Sequence, residues 1–171
     1  WTDGVLLHHE TVNGNVLSTL RTGAHPTDMV WCSRKPLTAE EAAYPWSARI
    51  FVTAANTNTV YVVGVSATNE LRVIENINVA LVPQQPLGMT PSALALNKAQ
   101  DRLFVVCSDA NAVAVADIGE ERSRVLGFIP SGWYPTAARA LGDGSLVVLN
   151  GRGVRSYPNL RGPNPLRKAA P

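Results

Sequence analysis

The chain has 171 residues, of which 46% are hydrophobic and 16% charged, and its formal net charge is +2. That mix suits a packed domain and excludes an intrinsically disordered chain. The basic residues are scattered, with only Arg161, Arg167 and Lys168 locally grouped, so no electrostatic argument favours nucleic acid or an anionic membrane. No apolar run approaches the roughly 20 residues of a membrane helix.

Taken in chain order, Gly4–His9 and Asn15–Leu20 read as a pair of strands closing a unit that starts before this sequence. Residue 1 is Trp rather than Met, and the chain is expected to be a piece of a longer protein. Gly23-Ala24-His25-Pro26 then opens a new unit: the Gly supplies a turn, and the Pro sets φ at the strand entry. An insertion from Ser33 to Ser47 follows, and its Leu37–Ala43 stretch is predicted to form a short helix. Arg49–Ala54 and Thr59–Val62 flank the polar turn Ala55-Asn56-Thr57-Asn58, the signature of a β-hairpin. Leu71–Ile77 supplies a fourth strand, and Val82–Pro86 a proline-bearing loop.

The same order then repeats. Gly88-Met89-Thr90-Pro91 opens the next unit, and Arg102–Val115 aligns on Arg49–Val62 at a constant offset without gaps. Arg124–Ile129 closes it. Gly132-Trp133-Tyr134-Pro135 opens a third copy, in which Gly144–Asn150 keeps a strand but Gly151-Arg152-Gly153 replaces the usual turn. The best-preserved copies run from Pro26 to Ile77 and from Pro91 to Pro130. The tail from Tyr157 to Pro171 carries four prolines and cannot continue a sheet.

Four strands per unit, with one unit spanning Pro91 to Pro135, match a propeller blade of ~40–50 residues. The fold class read from this is all-β. It is a partial β-propeller ring of about three blades, each of four antiparallel strands, over residues 1–157. A Pro-rich tail or linker occupies 158–171. Propellers close with about four to eight blades, so the chain reads as a fragment of a roughly seven-bladed ring. Its first expected partners are the remaining blades.

These units resemble the YVTN β-propeller repeats of bacterial extracytoplasmic proteins. The family's Tyr-Val-Thr-Asn strand end stands here as Phe51-Val52-Thr53-Ala54, Phe104-Val105-Val106-Cys107 and Val147-Val148-Leu149-Asn150, of which only Asn150 keeps the final Asn. Gly88–Leu96 is closer to the family's Gly-x-x-Pro-x-Ala-Leu-Ala-Leu opening. A narrower similarity runs through Pro86–Pro91, Gly127–Ala137, Asn150–Gly153 and Pro158-Asn159. It points to a subgroup in which an alkaline-phosphatase-like phosphoesterase domain follows the propeller. The resemblance implies a periplasmic or secreted location and a C-terminal domain as a second partner. It carries no metal ligands onto this chain.

No coherent catalytic set emerges from the residues, and no catalytic, cofactor or metal site is assigned. His8 and His9 are adjacent on a strand and point to opposite faces, which suits a strand between core and solvent better than a chelate. Asp28, Asp101, Asp109, Asp117 and Asp143 are expected at turns or strand ends, bonding local backbone. Glu40-Glu41 and Glu120-Glu121 read as solvated connections, and neither Ser92 nor Ser131 has nucleophile-elbow context. Gly151-Arg152-Gly153 is only a weak phosphate-turn signal without a following helix. Cys32 and Cys107 lack disulfide or zinc spacing and read as small buried strand residues.

Candidate ligand-binding residues are those of the Gly-x-x-Pro loops, which would recur around one channel mouth: His25, Thr90, Trp133 and Tyr134. Trp133 has a second reading, as a wedge between neighbouring blades. The favoured function is a non-catalytic binding or scaffold module accompanying a phosphoesterase domain. A lactonase-like hydrolase with a metal at the channel and a surface-layer or adhesion repeat stay open beside it.

Overall fold

The structure, a computed structural model, describes residues 3–36, 44–82 and 84–154. The expected helix at 37–43, Pro83 of the loop and the tail from 157 lie outside the described residues. Everything regular in the described residues is strand. There are twelve: β1 (Val5–His9), β2 (Val16–Arg21), β3 (Pro26–Cys32), β4 (Trp46–Ala54), β5 (Thr59–Ser66), β6 (Leu71–Asn78), β7 (Pro91–Leu96), β8 (Arg102–Cys107), β9 (Ala112–Asp117), β10 (Arg124–Pro130), β11 (Pro135–Ala140) and β12 (Leu146–Asn150). They form four antiparallel sheets: β1-β2, β3-β4-β5-β6, β7-β8-β9-β10 and β11-β12. The all-β class holds, and the arrangement is consistent with a propeller-like fold.

The local reasons are those the sequence pattern suggests. β8 alternates Leu103, Val105 and Cys107 on one face with Phe104 and Val106 on the other. The first set joins a core shared with Phe51, Val60, Val62 and Met89 of the preceding sheet and its connection. The second set packs with Ala93, Ala95, Val113 and Ala138, the last from β11. A strand covered on both faces therefore shows hydrophobic residues at every position, while its period of two decides which neighbour each one meets.

Repetition extends to the irregularities. The pairing of third and fourth strands slips at His8/His9, at Val62/Val63 and between Val125 and Gly127. First and second strands slip next to the opening proline in every copy: Pro26/Met29, Pro91/Ala93 and Pro135/Ala137. Such bulges increase the local twist. The first strands β3, β7 and β11 lie side by side and hold the sheets in register.

The two four-stranded sheets are clamped by polar groups as well as by the core. The Asn58 side chain donates to the Pro86 carbonyl (3.0 Å) and accepts from the Gly88 and Met89 amides (3.2 and 3.1 Å). Gln100 Oε1 accepts from the amides of Ser33 (2.8 Å) and Arg34 (3.0 Å). The Glu75 carboxylate takes the Ser123 amide (2.8 Å) and hydroxyl (2.7 Å). Asp28 Oδ2 accepts the Leu94 amide at 2.8 Å, tying β3 to β7. Asp28 was expected to serve its local backbone at a strand end. It does take the Met29 amide at 2.9 Å, but it sits inside β3 and also bridges two sheets.

Candidate functional site

Each Gly-x-x-Pro loop ends on one residue with left-handed backbone: His25 (φ 58°), Thr90 (φ 50°) and Tyr134 (φ 55°). A residue before proline ordinarily prefers extended geometry, and left-handed backbone outside glycine costs ~1–3 kcal/mol. A recurring hydrogen bond holds the conformation. The carbonyl of His25 accepts from Ala55 N (2.9 Å), that of Thr90 from Ser108 N (3.0 Å), and that of Tyr134 from Gly151 N (2.8 Å). One backbone frame thus presents three different side chains. Because β3, β7 and β11 are neighbours, the three loops lie at the same end of the sheets.

The side chains differ in employment. Thr90 Oγ1 donates to Asp109 Oδ2 at 2.5 Å. The Tyr134 ring lies under the Arg152 guanidinium, 4.7 Å from its centroid, a cation–π contact. Arg152 is therefore occupied, and its amide donates to the Trp133 carbonyl (3.0 Å), while the Trp133 amide donates to the Gly153 carbonyl (2.7 Å). The Gly151-Arg152-Gly153 turn thus braces the third loop. Trp133 is 44% exposed, whereas Met89, at the same repeat position, is fully buried in the core between two sheets. His9 Nδ1 bonds the Gly14 carbonyl at 2.9 Å, within its own hairpin.

At the other end of the same strands lies a groove of about 400 Å³ lined by Trp31, Leu96, Lys98, Gln100 and Arg139 among others. Sequence reading concentrated on the loops and missed it, because the groove draws residues from three repeats that are far apart in the chain. The inter-sheet asparagines were missed too, although a signal existed. Asn58 and Asn111 occupy one position of the repeated turn, and Asn111 Oδ1 accepts the Tyr134 amide at 2.7 Å.

Burial pushes the Cys107 thiol up to about 12, so it stays protonated and unreactive. Cys32 and Cys107 are both buried free thiols, as expected. The Asn97 side chain, which donates to Asp101 Oδ1 at 2.7 Å, holds that carboxyl below its ordinary value, helped by Arg102 and Arg34. Among the described residues no three His, Cys, Asp or Glu side chains are grouped to hold a metal ion. No described helix is long and apolar enough to cross a membrane.

No protein-family model and no curated protein matches this sequence. Solved structures do. A functionally unknown protein from Desulfotomaculum acetoxidans DSM 771 is similar at a TM-score of 0.63 and 15% identity, over 83% of this chain and 40% of that one. Kuenenia stuttgartiensis hydrazine synthase gives a TM-score of 0.58 at 12% identity, over 91% of this chain and 53% of that one. A protein from Lactobacillus plantarum gives 0.52 at 17%, over 81% and 41%. The likeness is one of fold. All-β sheet neighbours are consistent with a propeller-like architecture, and this chain spans about half or less of their length.

Proposed function

We propose that the chain is part of a β-propeller of the YVTN-repeat type. In this reading it is a non-catalytic binding and scaffold module of an extracytoplasmic protein that also carries a phosphoesterase domain. The observation that carries the binding role is the threefold loop frame. His25, Thr90 and Tyr134 share one strained backbone conformation and one hydrogen bond, yet differ completely in side chain. A fixed frame with variable tips presents a recognition surface on a rigid scaffold. The half-exposed Trp133 beside Tyr134 adds an aromatic anchor of the kind interfaces favour. The resemblance in Gly88–Leu96 and Gly127–Ala137 supports the family and, through it, the location and the accompanying domain.

The test is hydrolysis of p-nitrophenyl phosphate and of γ-butyrolactone by this chain, each with and without added calcium or zinc. No turnover is expected. Turnover that disappears in His25→Ala or in Tyr134→Phe would overturn the non-catalytic reading.

A further inference from the structure

One hydrogen bond marks where each fourth strand ends: Thr22 N to Gly4 O (2.9 Å), Val79 N to Asn58 O (2.8 Å) and Ser131 N to Asn111 O (2.9 Å). After Thr22 and after Ser131 the next residue is the glycine of a Gly-x-x-Pro loop, Gly23 or Gly132. After Val79 that glycine is Gly88, so of these three junctions this one alone carries an insertion, Ala80–Leu87. The insertion joins the two complete sheets. It runs directly into Gly88–Thr90 and so stands at the end of the fold that carries the candidate loops.

The other two junctions close without such a segment, and what this one displays is apolar. Leu81, Val82 and Leu87 are 55%, 57% and 71% exposed. Ala80–Leu87 contains no charged and no aromatic residue. Its polar groups are mostly turned inward. Gln85 Oε1 accepts the Leu81 amide (2.6 Å), the Gln85 amide donates to the Val82 carbonyl (3.0 Å), and Gln85 Nε2 donates to the sulfur of the buried Met89 (3.2 Å). Asn58 holds the Pro86 carbonyl and the Gly88 and Met89 amides at the foot of the loop. Pro83 and Pro86 have no N–H to satisfy. Among the described residues, the amides of Val82, Gln84 and Leu87 and the exposed Gln84 side chain are what the loop leaves to its surroundings.

A loop held by its own side chains, with aliphatic tips and few free backbone donors, suits the boundary layer of a bilayer. There an unpaired N–H is costly, and no directional polar contact is needed. Protein interfaces are anchored chiefly by Trp, Tyr and Arg, and Ala80–Leu87 has none of them. An anionic surface would call for Lys or Arg, which it lacks as well. We propose that Ala80–Leu87 is a lipid-contacting loop that seats Leu81, Val82 and Leu87 in the surface of an electrically neutral bilayer. The contact is shallow, since the three remaining amides and the Gln84 side chain stay in the hydrated headgroup layer. It is weaker than that of a single myristoyl chain, whose association constant is ~10⁴ M⁻¹, because three short side chains bury less apolar surface. The loop thus adds an attachment to a surface to the binding role proposed above.

The experiment puts a polarity-sensitive NBD label on the intact chain at Leu87→Cys. The control label is at Ala99→Cys, in the exposed β7–β8 turn at the far end of the strands. Cys32 and Cys107 are buried, so the added thiol takes the label. Vesicles are pure phosphatidylcholine, or phosphatidylcholine with phosphatidylglycerol. The label at 87 is expected to brighten as lipid is added and to be quenched by nitroxide-bearing lipid, and the label at 99 to do neither. In co-sedimentation of the unlabelled chain, Leu81→Gln with Leu87→Gln should lower vesicle partition about tenfold. The strand signal should not change, because both side chains are already exposed. Salt and phosphatidylglycerol should alter the partition little. Partition undiminished by the double substitution, or an equal response at 99, assigns the lipid contact to other apolar surface and overturns the proposal. Binding that needs phosphatidylglycerol and disappears in salt overturns the neutral surface. No response at 87 with either vesicle overturns the lipid contact and leaves the loop to a protein partner.

Discussion

The two complete sheets share one repeat and solve one position in opposite ways. Arg49 on β4 and Arg102 on β8 align, and each faces the residue at the same place on the next strand, Gly64 and Asp117 respectively. Arg102 reaches Asp117 at 3.0 Å, a half-exposed ion pair within its own sheet. Gly64 offers no carboxylate. A Cβ there would lie 2.3 Å from the Trp46 ring, so the missing side chain makes room for the indole. Arg49 is instead 1% exposed, lies 5.4 Å from the centroid of the Phe51 ring, and donates to the Ile118 carbonyl of the following sheet at 2.8 Å. The same residue thus seals an interface in one sheet and decorates a surface in the other. The position facing each Arg is Gly in one sheet and Asp in the other.

The contrast can be broken at matched pairs of positions. The largest effect is expected for Phe51→Ala, which empties a fully buried core site and should cost ~3–5 kcal/mol in denaturant unfolding. Phe104→Ala, at the half-buried counterpart, should cost clearly less, and equal costs would mean the two sheets are packed alike.

Next comes Arg49→Ala, expected to destabilise by about 2–3 kcal/mol, since it strips a charged hydrogen bond from a buried carbonyl. Arg102→Ala should cost no more than about 1 kcal/mol, and raising the salt concentration should erase part of it. A double comparison in high salt measures both.

Asn58→Ala should cost about 2 kcal/mol, because the Pro86 carbonyl and the Gly88 and Met89 amides lose their shared partner. Asn111→Ala breaks one such bond, to Tyr134 N, and should cost about half as much. Amide exchange of Met89 and Tyr134 would report each release directly.

The smallest effect is in acid. Asp101 titrates below its ordinary 3.8 in the folded chain, chiefly through Asn97. Its contribution is therefore complete above that value and is lost as pH falls through the lower folded one. Asp101→Asn should lower stability slightly at pH 7, by no more than about 1 kcal/mol, and the gap should narrow below pH 4. A gap independent of pH would remove the carboxylate from the account.

Much of the architecture was legible because strand periodicity and turn chemistry are local. The opening prolines, the hairpin turns and the constant offset between Arg49–Val62 and Arg102–Val115, with the apolar runs between them, place all twelve strands of the described residues within a few residues. The candidate loops were legible for the same reason, since Gly-x-x-Pro recurs. Their left-handed residues were not, because nothing in His25, Thr90 or Tyr134 as residue types favours that backbone, and preceding a proline argues against it. Asp28 and Arg49 were misjudged or passed over because their partners, Leu94 N and Ile118 O, lie on another sheet.

By itself, then, the sequence determined the units: which residues are strands and where the turns between them fall. Those depend on backbone preferences and a period of two, which act over a few residues. Only the tertiary structure decided how the units meet. It buried Arg49 and left Arg102 at the surface, bridged sheets through Asn58, Asn111 and Asp28, and left Met29 bare where Ala138 is covered. Burial and hydrogen-bond satisfaction depend on what lies across the gap, and no local pattern records that.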